Sequence, residues 1–310
     1  MPIAGPRPVR DAAYMGGVFW SLASALLWST TFVTARYLLS GNRVDPMTLS
    51  AIRFVLGGAV LAAGGALIYG PKVFRVSGKD LLQLAGLGLF GMVGMSALLF
   101  LGQRTTTAIN ASLIMQVCPV LILLAGLFIG ERVVAVEVVG ILVSLAGCLM
   151  VVEVISGGGI SFQSGHAAGD AAVFLAACCW TVYSVWGKSV VLRVGGFAAT
   201  LWCMVFGAIE LILLWLVLPF ERVWPTGGTT WLVVLYLAVL PTAVAFFAWY
   251  EAMNRIELSL LNVMQYITPV ATIFLAWVLL RERLTGLQWL GIALVLAGVA
   301  VTGMKRRSDG

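Results

Sequence analysis

Two stretches of this chain carry polar side chains at helical spacing within otherwise apolar sequence. In 257–280, Asn262, Gln265, Tyr266 and Pro269 stand at i, i+3, i+4 and i+7, which sets all four on one face of a helix. In 107–130, Ser112, Met115, Gln116 and Pro119 repeat the stripe. Such groups offer hydrogen bonds to a polar solute. Each proline also withholds the amide that would bond the carbonyl four residues earlier, at Met115 or Gln265, so that a free carbonyl can meet a substrate's ammonium. The competing reading is that the amides join neighbouring helices, at about 1 kcal/mol each, and that the prolines kink their helices for packing.

Aromatic residues form a second constellation: Trp28, then Trp180 and Tyr183, then Phe246, Trp249 and Tyr250. Ring faces stack on an apolar solute and attract an ammonium by about 0.5 to 2 kcal/mol. Many membrane aromatics instead form interfacial belts. Deep charges are few. Arg53 and Glu210 fall at comparable depth in their segments and are expected to pair; with Pro119 and Pro269 they are the candidates for gating or coupling. The substrate-binding candidates are Trp28, Thr31, Ser112, Gln116, Trp180, Tyr183, Tyr250, Asn262, Gln265 and Tyr266.

The elements that position these residues are long apolar runs. Of 310 residues, 61% are hydrophobic and 10% charged, where a soluble domain carries about 25% charge; mean hydropathy is +1.03. That composition excludes a soluble globular enzyme. A membrane helix needs roughly 20 apolar residues. Charge, Pro and Gly clusters mark spans at 16–39, 46–69, 79–103, 107–130, 133–155, 168–190, 196–219, 228–252, 257–280 and 284–304. Continuous apolarity demands helices rather than period-two barrel strands, so the sequence predicts an all-α integral membrane protein of ten transmembrane helices. The first run is too long for a signal h-region and is read as an uncleaved helix. All five cysteines fall within spans, without CxxC spacing, and no HExxH, P-loop or nucleophile elbow occurs. The expectation is no metal, no cofactor, no enzyme activity, and transport energised by a gradient. His166, the only histidine, is read as loop.

The chain repeats itself. GERVVAVEVVGILVSLAGCLMVV (130–152) matches RERLTGLQWLGIALVLAGVAVTG (281–303), aligning Glu131 with Glu282, Arg132 with Arg283, Gly140 with Gly291 and Gly147 with Gly298. Gln116 aligns with Tyr266 and Pro119 with Pro269, Trp28 with Trp180 and Thr31 with Tyr183. The predicted halves are 1–155 and 156–310, and five helices per half require the second copy to be inverted. Inverted repeats suit carriers whose halves rock about a midplane site. Twelve basic residues lie on the side of the N-terminus against six opposite (Arg36, Arg43, Arg104, Arg222, Arg281, Arg283), which predicts cytoplasmic termini. The glutamates of the two junctions are read as scaffold, and Gly140, Ser144, Gly147, Gly291 and Gly298 as close-packing surfaces.

Together, QVCPVLILLAGLFIGERV with SLAG and QYITPVATIFLAWVLLRERL with VLAG give two five-helix halves. Each half has a proline-bearing fourth helix, a (G/R)ER junction and a glycine-containing fifth helix. This arrangement resembles the EamA type of the drug/metabolite transporter superfamily over nearly the whole chain, and by overall similarity its YddG-type aromatic amino acid exporters. The resemblance implies ten helices, cytoplasmic termini and a central cavity lined by helices 1, 3, 4, 6, 8 and 9. The expectation is therefore an alternating-access secondary transporter of the bacterial inner membrane. It would export neutral, chiefly aromatic, amino acids or related metabolites. Its partners would be that small-molecule substrate and membrane lipid, with no nucleic acid, and the protein would act as a monomer or homodimer. The rivals are a carrier of drug cations or phosphorylated solutes, and a non-transporting membrane protein.

Overall fold

The computed structural model describes residues 8–40, 42–105, 111, 114–128, 134–151, 167–219, 222–271, 274 and 285–308, and these contain helices and connections with no strand. Ser112, Glu131, Arg132, His166, Arg281, Glu282 and Arg283 lie outside the described residues. In chain order the helices are α1 (Pro8–Ser40), α2 (Pro46–Ile68), α3 (Gly78–Gly102), α4 (Cys118–Phe128), α5 (Ala135–Val151), α6 (Ala167–Val194), α7 (Gly196–Val217), α8 (Gly228–Met253), α9 (258–271) and α10 (Gly286–Ser308). Five of them, α2, α3, α6, α7 and α8, are long and apolar enough to cross a membrane. Helix α1 starts well before the predicted residue 16. Its 33 residues span about 50 Å at 1.5 Å per residue, more than a hydrocarbon core, so its polar first turns extend past the apolar run.

Local sequence explains several boundaries. The Asp45 side chain accepts from the Met47 and Thr48 amides at the start of α2, with Pro46 in the first turn where its missing amide costs nothing. Ser77 caps α3 through Asp80 N. The exposed faces are apolar: Val55, Val60 and Leu67 on α2, Leu82 and Leu89 on α3, Ile209, Leu213 and Leu216 on α7, and Leu232, Leu235 and Leu240 on α8. A bundle that turns such side chains outward while burying Ser50, Arg53, Ser96, Gln116 and Thr242 is built for lipid.

Helices pack across the repeat in matched pairs. Helix α3 packs on α6 as α8 packs on α1, α3 on α7 as α8 on α2, and α4 on α6 as α9 on α1; α2 meets α7, and α5 meets α10. The α5/α10 contact shows the relation most directly. A Cβ on Gly140 would lie 2.8 Å from the Gly298 carbonyl, one on Gly298 2.5 Å from the Gly140 carbonyl, and one on Gly147 2.6 Å from that of Gly291. As the number rises on one helix it falls on the other, so α5 and α10 are antiparallel. The contact is also reciprocal, because Gly140 is the sequence equivalent of Gly291 and Gly147 of Gly298. Ser144 donates to the Val295 carbonyl at 3.4 Å between them. The small residues act as the sequence predicted, by letting two backbones touch.

Three helices, and the segment just ahead of α4, depart from α geometry at matched places. In α3 the run Leu89–Gly94 is π-helical, and in α8 so is Ala238–Val244. Pro241 explains the second, since it lacks the amide that α geometry requires and the Thr242 hydroxyl donates instead to the Leu237 carbonyl at 2.7 Å. Gly91 in the first π turn lies against the Tyr183 ring, leaving no room for a side chain. Helix α9 tightens to a 3₁₀ turn at Met264–Tyr266. Ahead of α4, residues 116–117 form a turn. Both breaks sit two to five residues before the matched prolines, Pro119 and Pro269.

Candidate functional site

A cavity of about 90 Å³, several times the roughly 10–15 Å³ that holds one water, lies where these irregular segments converge. Its described wall is Trp28 and Thr31 of α1, Arg53 of α2, Met95, Ser96 and Leu99 of α3, Met115 and Gln116 before α4, Trp180 of α6, Phe246 of α8, and Gln265 and Thr268 of α9. Equivalent helices of the two halves therefore face each other across it.

The aromatic side is a rigid cluster. The Trp28 ring stands edge-on to Trp180 (centroids 5.3 Å apart) and to Phe246 (5.4 Å), and its Nε1 donates to the Pro241 carbonyl at 3.0 Å. The π turn thus exposes a carbonyl that fixes one wall of the cavity. Trp249 backs Trp28 and Trp180 at 5.5 and 5.4 Å. Tyr183 lies against Trp180 at 5.2 Å and stacks on Tyr250 at 5.0 Å and 13°. Tyr183 and Tyr250, expected as substrate ligands, are fully buried behind the wall and support Trp180. Gly187 makes this possible by leaving space for the Tyr250 hydroxyl.

The polar stripe on α9 splits. Gln265 and Thr268 reach the cavity, whereas Tyr266 packs with Ile141, Cys148, Val263 and Val295 against α5 and α10. Asn262 is 1% exposed and donates to the Leu258 carbonyl at 2.6 Å within its own helix. Neighbouring residues stand about 100° apart on an α-helix, and the 3₁₀ turn at Met264–Tyr266 widens the separation of Gln265 and Tyr266 to about 120°. Pro119 and Pro269 are buried and outside the described wall; they sit behind the breaks they accompany.

Arg53 and Glu210 do not pair. Arg53 donates from Nε to Thr242 Oγ1 at 2.9 Å, and its guanidinium lies 5.1 and 5.4 Å from the ring centroids of Phe100 and Phe54. Glu210 shares the α7 face of Gly207, which presses on Met92 of α3, and its Oε2 is buried without a hydrogen-bond partner among the described residues. Equal depth did not mean equal direction. Sequence reading also missed Met95, Ser96, Leu99 and Thr268 as wall residues. Ser96 and Thr268 gave a signal, as hydroxyl residues in apolar runs; Ser96 shares a hydrogen bond with Ser50 at 3.0 Å. No cluster of three or more metal-ligating side chains occurs among the described residues.

Comparison with known proteins agrees with this architecture. The chain is 29% identical over 282 residues to an uncharacterized transporter of Archaeoglobus fulgidus, covering 91% of this chain and 95% of that protein. It is 31% identical over 284 residues to the aromatic amino acid exporter YddG of Ancylobacter novellus, again 91% and 95%. To a protein named probable terminal-alkyne amino-acid exporter of Streptantibioticus cattleyicolor it is 28% identical over 297 residues, 94% of each chain. A crystal structure superposes with a TM-score of 0.77 at 30% identity, covering 97% of this chain and 99% of that one. The EamA-like transporter family matches 15–153 and again 167–304, two copies whose fifth helices are those that cross reciprocally at Gly140 and Gly298. A repeated membrane fold with a largely apolar, aromatic-walled cavity at the junction of its copies, matched twice over by one family, makes the chain a member of the EamA-like transporter family.

Proposed function

We propose that this transporter exports neutral, chiefly aromatic, amino acids or related small metabolites across the bacterial inner membrane by alternating access. The observation that carries the reading is one cavity that joins the aromatic wall of Trp28, Trp180 and Phe246 to Gln116 and Gln265, which stand at the broken segments of equivalent helices. Rings pack an apolar side chain, while amides orient the polar end. Ten membrane helices, as halves 1–155 and 156–310 with cytoplasmic termini, fit both the spacing of the apolar runs and the twofold family match. The amino acid exporters among its relatives point the same way. A drug-cation carrier would need an acid in the cavity, and the described wall has none.

Reconstitution tests this directly. Liposomes preloaded with unlabelled amino acid should take up labelled phenylalanine and methionine by saturable counterflow, with aspartate excluded, in the presence or absence of a pH gradient. Trp180→Ala removes a ring contact worth about 0.5–1.5 kcal/mol, and Gln265→Ala removes a hydrogen bond worth about 1 kcal/mol. Each should weaken apparent affinity by about three- to tenfold. Absence of counterflow for every neutral amino acid would refute the proposal.

A further inference from the structure

The cavity is electrically one-sided. Arg53 is the charged residue of its described wall, and every other described wall residue is neutral. Arg53 is 4% exposed. Its Nε is occupied by Thr242, and the ion pairs among the described residues are Arg193–Asp80 and Arg255–Glu251, so no described carboxylate faces it. A buried cation without a counter-ion is costly, and here the described residues do not supply the offsetting charge.

The wall's unpartnered polar atoms complete the pattern. Gln265 Nε2, Trp180 Nε1 and the Thr31 hydroxyl are buried without hydrogen-bond partners among the described residues. The first two are donors, and the guanidinium adds four N–H groups beyond Nε. A positive charge among idle donors calls for an anionic acceptor, and the planar guanidinium fork matches a carboxylate held by two parallel bonds. An ammonium would find no acid among the described wall residues, which offer it neutral oxygens and ring faces beside the Arg53 cation.

We propose that Arg53 binds the carboxylate of the transported solute and that the solute's ammonium is dispensable. The cavity then selects monocarboxylates bearing an aromatic or apolar group, of which amino acids are one class. The substrate class rests on the transport reading above; the Arg53 site does not.

Two readouts separate them. In the first, purified protein is unfolded thermally in detergent with phenylalanine, 3-phenylpropionate, phenethylamine or phenyl phosphate at equal concentration. The two carboxylates should raise Tm by several degrees and the amine should not. The dianionic phosphate, facing one cation, should do so less than either carboxylate. In the second, the same compounds compete with phenylalanine counterflow. Phenylpropionate should compete within about tenfold of phenylalanine, and phenethylamine at least a hundredfold more weakly. Arg53→Lys keeps the charge without the fork and should weaken the carboxylate effect at least tenfold; Arg53→Gln should remove it. Stabilisation or competition by phenethylamine equal to that by phenylpropionate overturns the proposal. So does stronger stabilisation by phenyl phosphate, or a full carboxylate shift in a folded Arg53→Gln protein. If that variant does not fold, the wild-type series decides alone. Carboxylate stabilisation without phenylalanine counterflow would remove the export reading and leave Arg53 as the anion site.

Discussion

Thr242 serves two partners with one hydroxyl, donating to the carbonyl that Pro241 leaves unbonded in α8 and accepting from Arg53. The threonine therefore ties a backbone irregularity to the direction of a buried charge. Thr242→Ser keeps both bonds and should transport like wild type. Thr242→Val keeps the shape but loses both, so half-saturation in phenylalanine counterflow should rise about fivefold, the equivalent of one net hydrogen bond near 1 kcal/mol. A smaller effect for Val than for Ser would mean that the hydroxyl does not orient Arg53. At this scale the sequence was legible in kind more than in direction. Arg53 stood out as a deep charge and Gln265 as a polar residue in an apolar run, yet the pairing with Glu210 failed. Depth can be counted along a chain, but azimuth on a helix that is apolar all round leaves no pattern to read.

Among elements, the α5/α10 crossing offers the least tolerance. A methyl on Gly140 or Gly298 would press on the partner's backbone carbonyl, and backbone cannot turn aside as a side chain can. Gly298→Ala is expected to cost about 1–3 kcal/mol of overpacking and to lower Tm in detergent. Gly64→Ala, on open helix surface, should leave Tm unchanged. Equal melting of the two variants would deny the crossing its structural role. Helix positions, the repeat and these glycines were readable because the bilayer imposes run length and small residues impose contact. The π turns were not. Leu89–Gly94 contains no proline, so nothing in its composition distinguishes it from α-helix, and Tyr266 was assigned to the cavity face because a 3₁₀ turn cannot be seen in a 3.6-residue count.

The whole molecule is held at both ends by links between its halves, and the two links differ in strength. At one end Asp45, between α1 and α2, accepts from the amides of Met47, Thr48 and Val223 and exchanges a further backbone bond with Val223, between α7 and α8. At the other end Arg193 of α6 meets Asp80 at 2.9 Å and Gln83 of α3 at 2.5 Å, half in solvent. Exposed pairs contribute at most about 1 kcal/mol, so Asp80→Asn should change the counterflow rate by less than about fivefold with Tm unchanged. Asp45→Ala strands three amides, at about 1–3 kcal/mol for a buried one, and should lower Tm clearly. The reverse order would show the exposed end to be the firm one.

The reciprocal crossing at Gly140 and Gly298 is, geometrically, an isologous interface: each side presents the same patch to the other, as in a twofold homodimer. A covalent link between the halves is then a matter of stoichiometry rather than of architecture. Residues 1–155 and 156–310 produced as two separate polypeptides in the same cell should reassemble and restore phenylalanine counterflow. Failure of folded halves to combine would mean that the connection itself, and not the shared surface, brings them together.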